Sequence, residues 1–287
     1  MNSPKKKYSS NIIHKSNLID FSYPKVMGVL NITPDSFFDG GKYRDEKSIL
    51  KQVEKMLYEG ASIIDVGAYS SKPGANFVSE SEELKRITPI VKILIKTFPS
   101  CKISIDSFRS KVIKECVGLG ALISNDISAG KLDPLMMETI GQLKIPYIMM
   151  HMKGTPQTMQ NKTNYKNIVY EVFNYFIERI NTAKKHKINE IIIDLGFGFA
   201  KTIDQNYTLL KELSYFKNLN YPILTGVSRK SMIYKVLNST ASKALNGTTA
   251  LNMAALINGS KILRVHDVKE AMECVNLYNA MVKESRI

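Results

Sequence analysis

The 287-residue sequence predicts an α/β fold in which eight parallel strands close into a (β/α)8 barrel, and three observations carry that prediction. Short runs rich in Val, Ile and Leu recur at 25–31, 61–67, 102–106, 121–126, 145–151, 189–195, 221–227 and 260–266. Strands that read as near-continuous apolar runs are buried on both faces, as parallel strands are. The stretches between them place apolar residues at helical spacing, and strands alternating with helices build parallel sheets. The third observation is where the polar residues fall: run after run ends in a group able to do chemistry. In a TIM barrel such groups gather at the carboxyl ends of the strands. An open doubly wound sheet competes, but no GxGxxG follows the first strand to support its dinucleotide-binding form.

The chain in order reads as follows. Residues 1–23 form an N-terminal arm, polar over 1–10 and able to make a short β-hairpin from Asn11-Ile12-Ile13 and Leu18-Ile19-Asp20-Phe21. Residues 24–287 form a single barrel domain, because no internal repeat, linker or second composition regime interrupts them. The first strand ends in Asn31, and Pro34 stops it because proline has no amide proton for a ladder. The loop that follows carries Phe37 and Asp39 and closes on Gly40-Gly41, which suit a tight turn. Over 46–59, Ile49, Leu50, Val53, Met56 and Leu57 share one helical face. Pro89 inside the helical stretch 80–98 predicts a kink or a local break. Val169, Val172, Phe173, Phe176, Ile177 and Ile180 define a helix over 164–186, and Asp267 is the expected N-cap of a helix over 267–283.

Composition narrows the function classes. A hydrophobic content of 44% is ample for a large core, and no run reaches the ~18 apolar residues of a membrane span. No apolar segment follows Lys5-Lys6-Lys7, which argues against a secretory signal. Three scattered cysteines without a CxxC predict reduced, structural thiols in a cytoplasmic protein. The net charge of +14 is spread over polar helix faces without a basic-aromatic stripe, so nucleic acid is not the expected partner. A field of that sign favours encounter with an anionic small molecule.

The strand ends supply the candidates. Asp106 and Asp194 follow the apolar runs Ile103-Ser104-Ile105 and Ile191-Ile192-Ile193, where a carboxylate is costly unless it is bonded. Structural bonding to loop amides is the plain reading of each. The sharper one joins them to Asn125, whose amide both donates and accepts, as a reader of the edge of a flat heterocycle. Lys230 is then a cation beside the ring; the alternatives are a Schiff-base nucleophile or a solvated surface lysine. Arg264 and His266 lie two apart on a strand and project to one side, which with Lys72 predicts an anion pocket for a phosphate or diphosphate. Asn31 alone is a weak metal ligand, but Mg²⁺ takes one or two protein oxygens and fills its shell from phosphates and water. No His/Cys cluster has zinc spacing, and Met149, Met150 and Met152 read as core or pocket wall.

Taken together, Met27–Gly41, Ile63–Gly67, Ile103–Asp106, Asn125-Asp126-Ile127, Met150-His151-Met152 with Pro156 to Gln160, Gly196–Phe199, Ser228–Met232 and Arg264–Val268 resemble the dihydropteroate synthase family. The resemblance runs in order over nearly all of the chain from Pro24. It implies joining of a dihydropterin methyl diphosphate to 4-aminobenzoate on a TIM barrel, with diphosphate released and Mg²⁺ as cofactor. By that resemblance Asp106, Asn125, Asp194 and Lys230 hold the pterin, and Arg264, His266 and Asn31 hold diphosphate and its Mg²⁺. Ser71, Lys72, Pro73, Phe199 and Ser231 frame the aminobenzoate, Ser71 also touches the pterin diphosphate, and Phe37 and Asp39 ride on a closing loop. The resemblance also implies a homodimer. A methyltetrahydrofolate-type methyltransferase would share the Asp/Asn/Asp reader but would not need Arg264, His266 and Lys72; a non-catalytic pterin-binding paralogue is the other alternative. Where the family usually has Glu-Ser-Thr-Arg-Pro-Gly, this chain has Tyr69-Ser70-Ser71-Lys72-Pro73-Gly74, and Leu195 and Ala200 replace the usual Pro and Gly. These changes bear on aminobenzoate affinity and sulfonamide response more than on the pterin.

Overall fold

The computed structural model describes residues 11–14, 17–32, 46–69 and 78–284. The chain begins with an antiparallel hairpin of β1 (Asn11–His14) and β2 (Asn17–Asp20). Eight parallel strands follow: β3 (Lys25–Asn31), β4 (Ile63–Gly67), β5 (Lys102–Asp106), β6 (Ile123–Asp126), β7 (Tyr147–Met150), β8 (Ile191–Asp194), β9 (Ile223–Thr225) and β10 (Ile262–Val265). They close into a barrel in chain order, with β10 pairing back onto β3 through Ile262 opposite Lys25 and Arg264 opposite Met27. Six of the eight ladders start later than the apolar runs and four stop earlier, because flanking residues such as Ala61, Ala121 and Leu195 are buried without joining a ladder.

Side chains on a strand alternate between its two faces, so each strand supplies both a barrel interior and an outer wall. The inward phase begins with Met27, Ile63, Ile123, Ile148, Ile192, Leu224 and Ile262, one apolar cluster at the amino end of the barrel. Ile19, within β2, and Phe21, just beyond the hairpin, belong to the same cluster and form its floor. Burying Phe21 there contributes about 2–3 kcal/mol, enough to keep a two-stranded hairpin docked that would be marginal alone. Two residues further along the same phase, the interior becomes polar, with Asp65, Asn125, Asp194 and Arg264. The floor therefore fixes which residues reach the mouth.

The outward phase, including Val26, Ile64, Val66, Ile103, Ile105 and Ile193, packs against the helix ring. That ring comprises α1 (Glu46–Tyr58), α2 (Glu80–Thr97), α3 (Ser110–Leu119), α4 (Met136–Leu143), α5 (Ile168–Lys185), α6 (Ile203–Lys211), α7 (Ser231–Tyr234), α8 (Leu245–Ile257) and α9 (Val268–Glu284). The caps follow from the sequence: Ser79 accepts from Glu82 N, Asn167 from Tyr170 N, and Thr202 makes a capping box with Gln205. Asn167 also explains why α5 starts later than the apolar spacing alone predicts, and Ile177, expected on its apolar face, is turned outward and exposed while Tyr175 takes a buried place. Helix α2 runs through Pro89 without the expected break. Asp267 departs from its expectation as a simple cap: both carboxylate oxygens accept from Arg229, at 2.8 Å each.

Candidate active site

Four side chains from four strands meet inside the carboxyl end of the barrel. Asp65 Oδ2 on β4 accepts from Asn125 Nδ2 on β6 at 2.9 Å and from Arg264 Nε on β10 at 2.7 Å. The same guanidinium donates through its second terminal nitrogen to Asp106 Oδ2 on β5, at 2.7 Å. Burial pushes the Asp106 carboxyl up to about 7, against the pull of Arg264, and Asp65 adds to the rise. Burial works against the charge on Arg264, but Asp65 and Asp106 outweigh it and hold the guanidinium cationic.

Asp194, at the end of β8, faces this group from across the mouth. Its Oδ1 accepts the Gly196 amide at 2.8 Å. Burial raises its pKa, and Lys230 is the strongest influence opposing that rise, followed by the Gly196 amide, Arg264 and Lys201. Lys230 donates to the Phe197 carbonyl at 2.5 Å, and its ammonium lies 4.8 Å from the Phe199 ring centroid. Burial lowers its pKa to about 8, with Asp194 and Asp106 resisting. Ser231 is the first residue of α7, directly after Lys230. Gly196 has a left-handed φ of +68°, and a Cβ there would stand 2.1 Å from the His151 carbonyl, so only glycine fits this turn. Ala200 occupies the same backbone region at φ +50°, which explains why the family pattern has glycine at that position.

His266 comes after β10, and its Nδ1 lies 3.0 Å from Ser228 Oγ, which also accepts the His266 amide at 3.2 Å. Arg229, beside Ser228, is occupied by Asp267 and by the Ala241 and Ser242 carbonyls, so it braces the wall and leaves Lys230 to face the mouth. Asn31 ends β3 beside Gly67. A Cβ at Gly67 would lie 3.5 Å from Asp106 Oδ2 and 3.7 Å from Asn31 Oδ1, so the bare glycine leaves the two oxygens facing one space.

The structure thus brings together Asn31, Asp106, Asn125, Asp194, Phe199, Lys230, Ser231, Arg264 and His266 at the carboxyl ends of the strands. The expectations for Phe37, Asp39, Ser71, Lys72 and Pro73 fall outside the described residues. The sequence predicts Arg264 in an anion pocket with His266 and Lys72. Its guanidinium instead reaches across the barrel to two carboxylates, with the rest of its five N–H donors left for other partners. Asp126, one residue past Asn125, points the other way and organises a loop by accepting from the Ser128 and Gly130 amides and the Tyr147 hydroxyl.

Sequence reading passed over two contributors. Asp65 is fully buried at the centre of the polar layer, and counting two residues on from the inward Ile63 would have found it. Lys201 is buried behind Asp194, where nothing in its neighbourhood along the chain marks it. Tyr69, at the family's usual glutamate position, is also buried; its hydroxyl accepts from Gln157 at 2.8 Å and its ring packs edge-on to Phe108.

The family model described as pterin binding enzyme matches residues 27–266. Dihydropteroate synthase from Haemophilus influenzae is 42% identical over 264 residues, 91% of this chain and 95% of that protein. The crystal structure of Yersinia pestis dihydropteroate synthase with a sulfonamide drug complex aligns with a TM-score of 0.92 at 36% identity, covering 95% of this chain and 99% of that one. Xanthomonas albilineans dihydropteroate synthase with 4-aminobenzoic acid aligns at 0.88 and 31% identity, covering 96% of this chain and 98% of that one. A closed parallel barrel whose mouth combines Asp, Asn, Asp and Lys is therefore an enzyme barrel of the pterin-binding class. The chain belongs to the dihydropteroate synthase family, transferases of folate biosynthesis.

Proposed function

We propose that this chain condenses (7,8-dihydropterin-6-yl)methyl diphosphate with 4-aminobenzoate to 7,8-dihydropteroate and diphosphate. The observation that carries the reading is the convergence of Asp106, Asn125 and Asp194 with Lys230 and Arg264 at one end of the barrel. Carboxylates and an amide at that level accept from and donate to the polar edge of a pterin. Lys230 lies beside the ring, while Arg264 and His266 lie towards its diphosphate. Phe199 and Ser231 flank the place of the aminobenzoate, and the family resemblance assigns Ser71, Lys72 and Pro73 to the same substrate.

Aminobenzoate is a weak nucleophile, so departure of diphosphate comes first. The C–O bond breaks with its electron pair going to the diphosphate oxygen, and cationic side chains around that oxygen lower the barrier. The pterin-methyl cation that remains is stabilised by the buried carboxylates and by Asp39. The amine lone pair then forms the C–N bond, and the surplus proton passes to solvent without a dedicated base. The family resemblance assigns Phe37 and Asp39 the role of keeping water from the cation until the amine arrives.

Asn31 Oδ1 is a hard oxygen left accessible beside the bare Gly67, and it would be the protein ligand of an Mg²⁺ completed by diphosphate and water. Bound there, the ion supplies positive charge to the leaving group. A homodimer is supported by α8, whose Ala250 and Ile257 are exposed while Thr248, Asn252 and Leu256 are buried, beside exposed Val236, Leu237 and Leu277. Free, buried Cys101, Cys116 and Cys274 suit a reducing cytoplasm.

The test is to mix the protein with the pterin diphosphate, 4-aminobenzoate and Mg²⁺ and follow dihydropteroate. Product formation is expected. Tight pterin binding without product would overturn the enzymatic reading in favour of a non-catalytic paralogue.

A further inference from the structure

We propose that Lys201 is a positioning residue for this site: its ammonium pins the turn after β8 to the end of β7 and supplies the cation behind Asp194. The inference rests on the pterin-site reading above.

Lys201 is 6% exposed, yet its Nζ has a full set of partners. It lies 2.9 Å from the Gly196 carbonyl, 2.9 Å from the Phe199 carbonyl and 3.0 Å from His151 Nδ1, with the His151 carbonyl further off at 3.4 Å. Three ammonium protons meet three acceptors at normal distance, so the group is built into the turn. Filling this space alone would need only an apolar side chain, without the cost of desolvating an ammonium.

The turn held in this way touches both charged groups of the pterin pocket. Its Gly196 amide donates to Asp194, its Phe197 carbonyl accepts from Lys230, and its Phe199 ring lies against the Lys230 ammonium. Lys201 grips the other side of the same turn through two of its carbonyls. Withdrawing the ammonium frees the turn to rotate and removes one of three cations facing Asp194, the others being Lys230 at the start of α7 and Arg264 on β10. Burial pulls the Lys201 pKa well below the ordinary lysine value, Asp194 opposes that fall, and Lys230 and Lys153 add to it. The three acceptors around Nζ are what favour the protonated form. On its far side the His151 ring meets Tyr175 edge-on and lines a cavity of about 630 Å³ bounded also by Lys131, Lys153 and Glu171. Burial, with Lys201, Lys153 and Lys131 nearby, holds this imidazole neutral, which leaves Nδ1 free to accept.

The experiment measures pteroic acid binding by fluorescence between pH 5.5 and 9 for the wild-type chain, Lys201→Met and Lys201→Gln. The Met variant is expected to bind at least tenfold more weakly, with the acid limb of binding moved up by half a pH unit or more. The Gln variant, which keeps N–H donors but lacks the charge, is expected to recover affinity while its acid limb stays displaced. A folded Met variant that binds within twofold of wild type, with an unmoved limb, overturns the proposal. Should neither variant fold, nitrogen NMR of the wild-type His151, assigned with His151→Gln, decides. A neutral ring with bare Nδ1 from pH 6 to 9 supports the pin, and titration near the ordinary histidine value overturns it. Wild-type protein that fails to bind pteroic acid refutes the pterin-site reading itself, whereas unaltered variants of a binding wild type refute only the role of Lys201.

Discussion

Arg264 Nε and Asp65 Oδ2 are 2.7 Å apart across the interior of the barrel, although 199 residues separate them along the chain. The bond joins the last strand of the barrel to the second, and Asp65 has no exposed surface from which water could replace it. Removing one member of such a pair strands the other as a buried charge. Arg264→Met is expected to lower unfolding stability by about 3 kcal/mol, read from urea melts. The double variant Asp65→Asn/Arg264→Met is expected to lose clearly less than the sum of the two single changes. Additive losses would show that the pair does not act as a unit.

Asp194 and Lys230 oppose each other across the ring pocket, each the other's strongest countercharge. Asp194→Ala and Lys230→Ala are each expected to abolish detectable pterin binding in a fluorescence titration, a loss of about 2–5 kcal/mol. Retained binding in both would remove the ring pocket from this end of the barrel.

The pH dependence follows from two side chains with displaced pKa values. Asp106 titrates at about 7 and Lys230 at about 8. A pterin edge that bonds the carboxylate loses affinity as pH falls through 7, and an anionic substrate loses the Lys230 charge as pH rises through 8. Catalytic efficiency plotted against pH is therefore expected to be a bell with limbs near these values. The stability sign for Asp106 runs the other way. Its folded pKa lies above the unfolded 3.8, so the folded chain holds the extra proton between those limits. On this group's account, stability without ligand falls as pH climbs from about 4 to 7 and is then level. Chemical melts of Asp106→Asn, compared with wild type over that range, should lack this slope.

Phe21 fills the floor beside Ile63, Ile192 and Ile262. Phe21→Ala is expected to cost about 3–4 kcal/mol in denaturant melts. Turnover per folded molecule should hold, because the polar layer lies above the cavity so created. A large fall in kcat with little change in stability would contradict this layering.

The barrel was legible because its strands are apolar on both faces, and that pattern survives in a single sequence. Asp106, Asn125 and Asp194 were legible because each is the polar end of such a run. Asp65 was legible only in principle, since seeing it required the inward phase, and Ile63 and Ile64 look alike until the barrel closes. The partners of Arg264 could not be read, because which carboxylates it meets depends on the circuit of strands and not on neighbours along the chain. Pro89 shows the limit from the other side. A breaker in the middle of a helix was overridden by the packing of Ile87, Val91 and Leu94 against the sheet.

The inward layer of Met27, Ile63, Ile123, Ile148, Ile192, Leu224 and Ile262, with Ile19 and Phe21 beneath it, makes the barrel a cup and not a tube. Whatever enters must leave past the same lip, so the reactant that sits deepest has to arrive first, and anything still bound above it must go before it can. Sequential kinetics, with the bicyclic reactant leading, is the expectation for a barrel whose interior is packed shut at the far end from the chemistry.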